Sequence, residues 1–191
     1  MLEDIIKQEI IEHGSFLPFD RFMHLCLYTP KYGYYSGNNH IFGEGGDFIT
    51  APEISPLFGA SIANQIGDVY DNNYDILEFG AGSGNLALDV LQRLEELNKL
   101  PTTYYILEVS GSLKARQQQK LQQFPKLYKR CQWLNSLPEK PLKGIVLANE
   151  ILDAMPVNIF RRSAKDLIEE PGVGYDNKNE NFYNSWRPSS N

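Results

Sequence analysis

The stretch Ile76-Leu-Glu-Phe-Gly-Ala-Gly-Ser-Gly-Asn-Leu-Ala87 places three glycines within five residues, directly after a short apolar run. Its last part, from Gly82 to Ala87, fits the pattern G-x-G-x-x-G/A. The apolar run predicts a strand, and the residues after Gly84 predict a helix with one apolar stripe, formed by Leu86, Val90, Leu94 and Leu97. A tight strand–helix turn with no ligand is one explanation of the glycines, and close approach of a ligand to the backbone is the other.

Strands and helices alternate on the C-terminal side of this stretch. Strands are predicted over 74–79, 102–110, 131–138 and 143–149, and helices over 85–98 and 111–124. Near-continuous apolar strands alternating with helices indicate a parallel sheet that is covered on both faces. We therefore expect a Rossmann-like α/β fold whose parallel sheet carries helices on both faces and is incomplete after the fourth strand.

The sequence on either side of this core predicts two further segments. Residues 1–72 are expected to form an N-terminal extension of helices and a long loop, 28–55, rich in Gly, Pro and Tyr. Residues 73–160 form the predicted core. Residues 161–191 are rich in Asn, Pro, Gly and Ser, which indicates a loose tail.

Composition excludes several classes of protein. The net charge of −6 and the pI of about 5.1 argue against nucleic acid as a partner. The two cysteines and three histidines show no metal-ligand spacing, so no metal site is expected. No apolar run is long enough for a membrane span, and the N-terminus resembles neither a signal peptide nor a transit peptide. A cytoplasmic location is therefore expected.

Carboxylates near the glycines distinguish between candidate ligands. Glu78 lies two residues before Gly80, Glu108 closes the next strand, and no Lys or Arg occurs among residues 80–84. A carboxylate at the position of Glu108 commonly binds a ribose diol. A diphosphate would favour helix N-terminal amides without acids nearby, whereas S-adenosylmethionine brings an ammonium and a sulfonium group. The sequence therefore favours S-adenosylmethionine over NAD, although Glu78 could also be a solvated strand end.

Further polar residues follow the fourth strand. Asn149 and Glu150 come at its end and Asp153 shortly after. In a doubly wound sheet, the ends of the first and fourth strands flank the ligand crevice. These acids are either surface residues or part of a binding site for a cationic substrate such as a guanidinium.

Five segments together resemble the MidA family of S-adenosylmethionine-dependent methyltransferases: MHLCLYTPKYGYY, GDFITAPEISPLFG, ILEFGAGSGNLA, LEVS and LANEILDAMPV. Mitochondrial members of this family methylate an arginine on a respiratory complex I subunit. The resemblance implies that the cofactor contacts Glu78, Gly80, Ala81, Gly82, Gly84, Glu108, Trp133 and Asn149. It also implies that the methyl acceptor lies near Asp47, Glu53, Glu150 and Asp153.

The sequence thus predicts a protein arginine methyltransferase linked to complex I assembly, located in mitochondria if the organism is eukaryotic. Members of the family are about twice as long as this chain, which leaves a second hypothesis open. It is a non-catalytic, cofactor-binding assembly module. An NAD-dependent oxidoreductase is the third hypothesis. A protein substrate is the expected partner, and a homo-oligomer is compatible with the sequence.

Overall fold

The computed structural model describes residues 1–37, 49–70 and 72–189. These residues divide into two compact units. The first unit comprises Met1–Gly37 together with residues 152–189, and the second unit comprises residues 49–70 and 72–151. The N-terminal and C-terminal segments therefore share a unit, whereas the sequence suggested separate domains ending at residues 72 and 160.

Seven helices and eight strands occur in the part of the chain that the structure describes. The helices are α1 Leu2–Glu12, α2 Phe19–Tyr28, α3 Ala51–Ile54, α4 Pro56–Val69, α5 Asn85–Glu96, α6 Gly111–Leu121 and α7 Pro125–Tyr128. The strands are β1 Leu17–Pro18, β2 Asp75–Phe79, β3 Thr103–Leu107, β4 Cys131–Leu134, β5 Gly144–Leu147, β6 Arg161–Arg162, β7 Ile168–Asp176 and β8 Asn181–Pro188. A 3-10 turn covers Leu152–Ala154.

The second unit contains a parallel sheet with the strand order β4-β3-β2-β5. All three of its strand pairs are parallel. The predicted α/β fold with a Rossmann-like parallel sheet is confirmed, and so are the four core strands. Strands β3 and β4 lie on one side of β2, and β5 lies on its other side. The direction in which successive strands are added to the sheet therefore reverses at β2. This is the topological switch point expected from the sequence.

Helices of this unit pack on one face of the sheet. Strand register puts Ile76, Tyr104 and Cys131 on the same face, since side chains alternate along each strand. The core cluster on this face joins those strands to residues of α4, α5, α6 and α7. No sheet residue of the opposite face belongs to the cluster, and Val146 on that face is 54% exposed. Leu77, which pairs with Val146 on that face, is nevertheless buried at 4% exposed, so the face is exposed only in part.

The first unit contains an antiparallel sheet, which corrects the prediction of a loose tail. Strands β7 and β8 pair over their length, and β7 also pairs with β1 and β6. Val173 of β7 joins Ile6, Ile10, Leu17 and Leu25 in a buried cluster with α1 and α2. The sequence of β7 alone gives only a weak strand signal. The apolar residues that pack against β7 lie at the opposite end of the sequence.

Glycines in β7 explain why composition misled the prediction. A Cβ atom at Gly172 would lie 2.3 Å from Cζ of Phe16 and 2.7 Å from the carbonyl oxygen of Leu17. A Cβ atom at Gly174 would lie 2.4 Å from Cζ of Tyr183. Glycine in a strand often marks such a close approach, although its low strand propensity suggests a loop.

The buried position of Gly172 leads to a first prediction. We expect Gly172→Ala to lower the free energy of unfolding by about 1 to 3 kcal/mol, because the added methyl group overlaps a backbone oxygen. Urea denaturation followed by circular dichroism measures this change. Gly111→Ala is the control, since no atom lies within 4 Å of a Cβ atom there. Equal stability of both variants would contradict the close packing of Phe16 and Leu17 against Gly172.

Candidate functional site

The glycine loop, residues 80–84, connects β2 to α5 through three left-handed residues. Gly80, Gly82 and Gly84 have φ values of +57°, +52° and +81°. The loop is anchored by hydrogen bonds from Gly80 N to Leu107 O (2.9 Å) and from Gly84 N to Ala81 O (2.7 Å). Side chains of L-residues disfavour this region of φ, so the backbone itself requires glycine here.

Neighbouring side chains add a second requirement at two of these glycines. A Cβ atom at Gly80 would lie 2.6 Å from Cδ1 of Ile151, and one at Gly84 would lie 3.3 Å from Cγ of Gln117. Ile151 directly follows Asn149 and Glu150. The structure therefore brings the segment after β5 against the glycine loop, as the switch-point argument expected.

Glu108 follows the next strand, β3, and is 8% exposed. Its Oε1 accepts a hydrogen bond from Ser110 N, and its Oε2 accepts one from Nε2 of Gln117, each at 2.9 Å. Burial raises the pKa of Glu108, while the bonds from Ser110, Gln117 and Val109 oppose that rise. A carboxylate has about four acceptor positions, and these three bonds leave capacity for a further donor such as a ribose hydroxyl.

Gln117 connects three parts of the site, and sequence analysis missed it. Its Nε2 donates to Gly82 O at 3.0 Å as well as to Glu108, and its Oε1 accepts from Nε1 of Trp133 at 2.9 Å. A weak signal exists in the sequence, because Gln117 lies midway between the buried Leu113 and Leu121 on one stripe of α6. A polar residue in an apolar stripe requires buried partners.

Trp133, on β4, is partly buried, and its ring lies 5.9 Å from that of Tyr128. Its bond to Gln117 places the indole in the same network as Glu108. Ala81 of the loop is buried, Asn149 is partly buried and Glu150 is exposed. Glu150 also has a positive φ of +51°, an uncommon conformation for a residue with a side chain.

Glu78 is not the solvated strand end that the sequence left open as an alternative. It is 2% exposed, and its Oε2 accepts a hydrogen bond from the Tyr104 hydroxyl at 2.9 Å. Burial raises the pKa of Glu78 to about 7, with a smaller contribution in the same direction from Glu108. Near neutral pH its carboxyl group therefore carries only part of a negative charge.

Glu53 of α3 contacts the glycine loop through its carboxylate. One oxygen accepts from the Ser83 hydroxyl, and the other accepts from Nδ2 of Asn85 at 2.9 Å. Lys120 of α6 donates to Oδ1 of the same asparagine. The role expected for Glu53 was acceptor binding, but these contacts make it a support of the loop. Asp47 lies outside the described residues.

Asp153 lies in the 3-10 turn of the first unit. Burial raises the pKa of Tyr35 in that unit, and the charge of Asp153 adds to the effect. Within the described residues, no group of His, Cys, Asp and Glu side chains is arranged to hold a metal ion. No helix in the same part of the chain is both long and apolar enough to cross a membrane.

The sequence of this chain matches a known protein family. Residues 58–191 match the model of a family described as putative S-adenosyl-L-methionine-dependent methyltransferases. The chain belongs to this family. The cofactor expected from the sequence is the one that the family's description names.

Two solved structures from Burkholderia thailandensis share the fold. One was solved with bound S-adenosylhomocysteine and matches with a TM-score of 0.87 and 39% identity, over 100% of this chain and 50% of that chain. The other, a native structure of an uncharacterised protein, matches with a TM-score of 0.84 and 39% identity, over 99% of this chain and 48% of that chain.

Curated relatives are mitochondrial protein arginine methyltransferases or their homologues. The Caenorhabditis elegans protein is 29% identical over 78% of this chain and 40% of its own length. The Danio rerio protein is 29% identical over 83% of this chain and 43% of its own length. This chain therefore spans less than half the length of these relatives.

The burial of Glu78 predicts a pH dependence of stability. Its pKa in the folded protein, about 7, lies above the ordinary value of 4.5, so the folded protein retains a proton that the unfolded chain releases between these values. The stabilisation is complete below pH 4.5 and is lost as the pH rises through 7. We expect Glu78→Gln to abolish a loss of about 2 to 3 kcal/mol between about pH 5 and pH 8.

Urea denaturation at both pH values measures this difference. Glu139→Gln is the matched control, because Glu139 is exposed. We expect it to retain the pH dependence of the wild type. The same dependence in Glu78→Gln would contradict a raised pKa at Glu78.

Proposed function

We propose that this chain binds S-adenosylmethionine at the glycine loop and methylates an arginine side chain of a protein. The observation that carries the proposal is the position of Glu108 beside the loop, where Gln117 bonds both to its carboxylate and to Gly82 O. Family membership supports the cofactor. Further support comes from the related fold that was solved with S-adenosylhomocysteine.

The proposed cofactor contacts follow the ends of the parallel strands. Glu108 would accept hydrogen bonds from the ribose hydroxyls, and the left-handed backbone of the glycine loop would approach the methionine portion. Trp133 would lie beside the adenine, and Asn149 would complete the site after β5. When bound, S-adenosylmethionine supplies a methyl group activated by the positive charge on sulfur. The residues of this chain hold and orient it.

The charges around the loop favour this cofactor over a dinucleotide. Glu108 is an acid with unfilled acceptor positions, while no Lys or Arg occurs in the loop sequence. Lys120 is the cation bonded to the start of α5, and its partner there is the side chain of Asn85. A diphosphate would find no cation within the loop itself to offset its charge.

A guanidinium acceptor agrees with the acidic residues that follow β5. A protonated arginine is a poor nucleophile, so a carboxylate that orients it and receives its proton accelerates methyl transfer. Glu150 is our candidate for this role. The names of the curated relatives support protein arginine as the acceptor class. A respiratory complex I subunit is the first acceptor to test, with a mitochondrial location in a eukaryote.

The glycine loop provides the test of cofactor binding. We expect Gly82→Val to weaken S-adenosylmethionine binding at least about tenfold, because a branched side chain disfavours its φ of +52°. Isothermal calorimetry measures the affinity. Gly14→Val is the control, since Gly14 also has a positive φ, +68°, with no atom within 4 Å of a Cβ atom.

The same titration distinguishes the cofactor classes. Wild-type protein should bind S-adenosylmethionine and S-adenosylhomocysteine more tightly than NAD, and each bound ligand should raise the unfolding temperature. Tighter binding of NAD would favour an oxidoreductase. Unchanged affinity in Gly82→Val would contradict the assignment of the loop.

The proposed role of Glu150 predicts a loss of turnover without a loss of cofactor binding. We expect Glu150→Gln to lower kcat about a hundredfold, because it removes the proton acceptor while preserving the side-chain size. A methyl-transfer assay with an arginine-containing subunit measures kcat, and calorimetry measures binding of S-adenosylhomocysteine. The exposed Glu139, changed to Gln, is the control. Wild-type kcat in Glu150→Gln would exclude this role.

A second candidate is a non-catalytic module that binds the cofactor and docks a partner. The exposed side chain of Val146 on β5 favours it, because it offers an apolar contact to a partner. Binding of S-adenosylhomocysteine by the wild type with no methyl transfer to any tested subunit would support this candidate over the enzyme.

A further inference from the structure

Gln117 is the most completely bonded polar side chain of the candidate site. It is fully buried, with 0% of its surface exposed. Its amide joins Glu108, Gly82 and Trp133 through three hydrogen bonds of 2.9 to 3.0 Å. These partners come from the segments after β2 and β3 and from β4, so a single side chain on α6 bridges three neighbouring segments of the sheet unit.

The chemistry of the three partners fixes the orientation of the amide. An indole N–H group can only donate, so Oε1 of Gln117 must face Trp133. A carboxylate and a peptide carbonyl can only accept, so both N–H groups of Nε2 face Glu108 and Gly82. If the oxygen and nitrogen of the amide were exchanged, its N–H groups would face the N–H group of Trp133, and its oxygen would face acceptor oxygens of Glu108 and Gly82. The network therefore has one arrangement, and every polar atom of Gln117 is satisfied in it.

Each bond restricts a group that the proposed cofactor would meet. The bond from Gln117 together with that from Ser110 N holds both oxygens of Glu108. The bond to Gly82 O turns that carbonyl towards α6. Because a trans peptide is planar with its N–H opposite its C=O, the N–H of Ser83 points away from α6.

We propose that Gln117 is a positioning residue that pre-orients Glu108 for the ribose hydroxyls. This inference rests on the proposed binding of S-adenosylmethionine. Pre-orientation lowers the ordering cost at the moment of binding, so its loss weakens affinity without removing a direct contact. The adjacent stripe residues Leu113 and Leu121 indicate that an apolar side chain would satisfy the core alone.

The experiment compares two ligands in matched variants. Gln117→Met keeps the length of the side chain but removes its hydrogen bonds, and Gln117→Glu keeps its shape but replaces the donor that faces Glu108. Calorimetry measures affinity for S-adenosylhomocysteine and for its analogue lacking both ribose hydroxyls. Gln119→Met, an exposed glutamine of the same helix, is the control.

We expect Gln117→Met to weaken binding of S-adenosylhomocysteine about tenfold, the effect of one hydrogen bond to a charged group. The analogue without hydroxyls makes no use of Glu108, so its affinity should change by less than about threefold. Gln117→Glu should show the same selectivity, because it places a second carboxylate beside Glu108. It also provides the test if Gln117→Met does not fold.

Three outcomes would contradict the inference. Equal weakening of both ligands would indicate a role in folding alone, and unchanged affinity for both would indicate no role at the site. Each leaves the proposed function intact, provided that the wild type binds S-adenosylhomocysteine. No binding by wild-type protein would instead contradict the proposed function itself, and the positioning role with it.

Discussion

Three left-handed residues in the turn between β2 and α5 constrain the rest of the site. At the start of the turn Gly80 N donates to the carbonyl oxygen of Leu107, the last residue of β3, and within it Gly84 N donates to Ala81 O. Neighbouring side chains then occupy the space that a side chain at two of these positions would need. The turn is thus specified twice, by its own φ values and by the packing of Ile151 and Gln117. Because both requirements favour glycine, only main-chain groups of these three residues lie at the switch point of the sheet.

Much of this architecture could be predicted from local sequence. The four core strands and the helices α5 and α6 follow from hydrophobic periodicity, because each pattern lies within one continuous segment. The order of the sheet follows from the rules for parallel strands and right-handed crossovers. Glu108 and Asn149 could be located at strand ends for the same reason. In each case the information that determines the position of the residue lies within a few residues of it in the chain.

Features that depend on distant residues could not be predicted. Strand β7 pairs with Leu17 at the other end of the chain, and its glycines accommodate rings of Phe16 and Tyr183. Composition alone made this segment resemble a loop. Gln117 was hidden among neighbouring glutamines, since only the fold brings it to Gly82 and Trp133. Glu53 was recognised as an acid near the loop, but its bonds to Ser83 and Asn85 were not foreseeable.

The electrostatic argument for the cofactor changes once burial is known. Sequence analysis assigned the selecting negative charge to several acids near the loop, with Glu78 foremost. In the structure, Glu78 is buried with a pKa of about 7, and both oxygens of Glu53 accept hydrogen bonds. Glu78 therefore carries only part of a charge near neutral pH, and Glu53 uses both oxygens to bind the loop. Glu108 does not distinguish the two cofactors either, because a carboxylate at this position binds the ribose hydroxyls of dinucleotides as well. The case for S-adenosylmethionine therefore depends on family membership and on the absence of a cation from the loop sequence, whereas Glu108 accounts for recognition of a nucleoside.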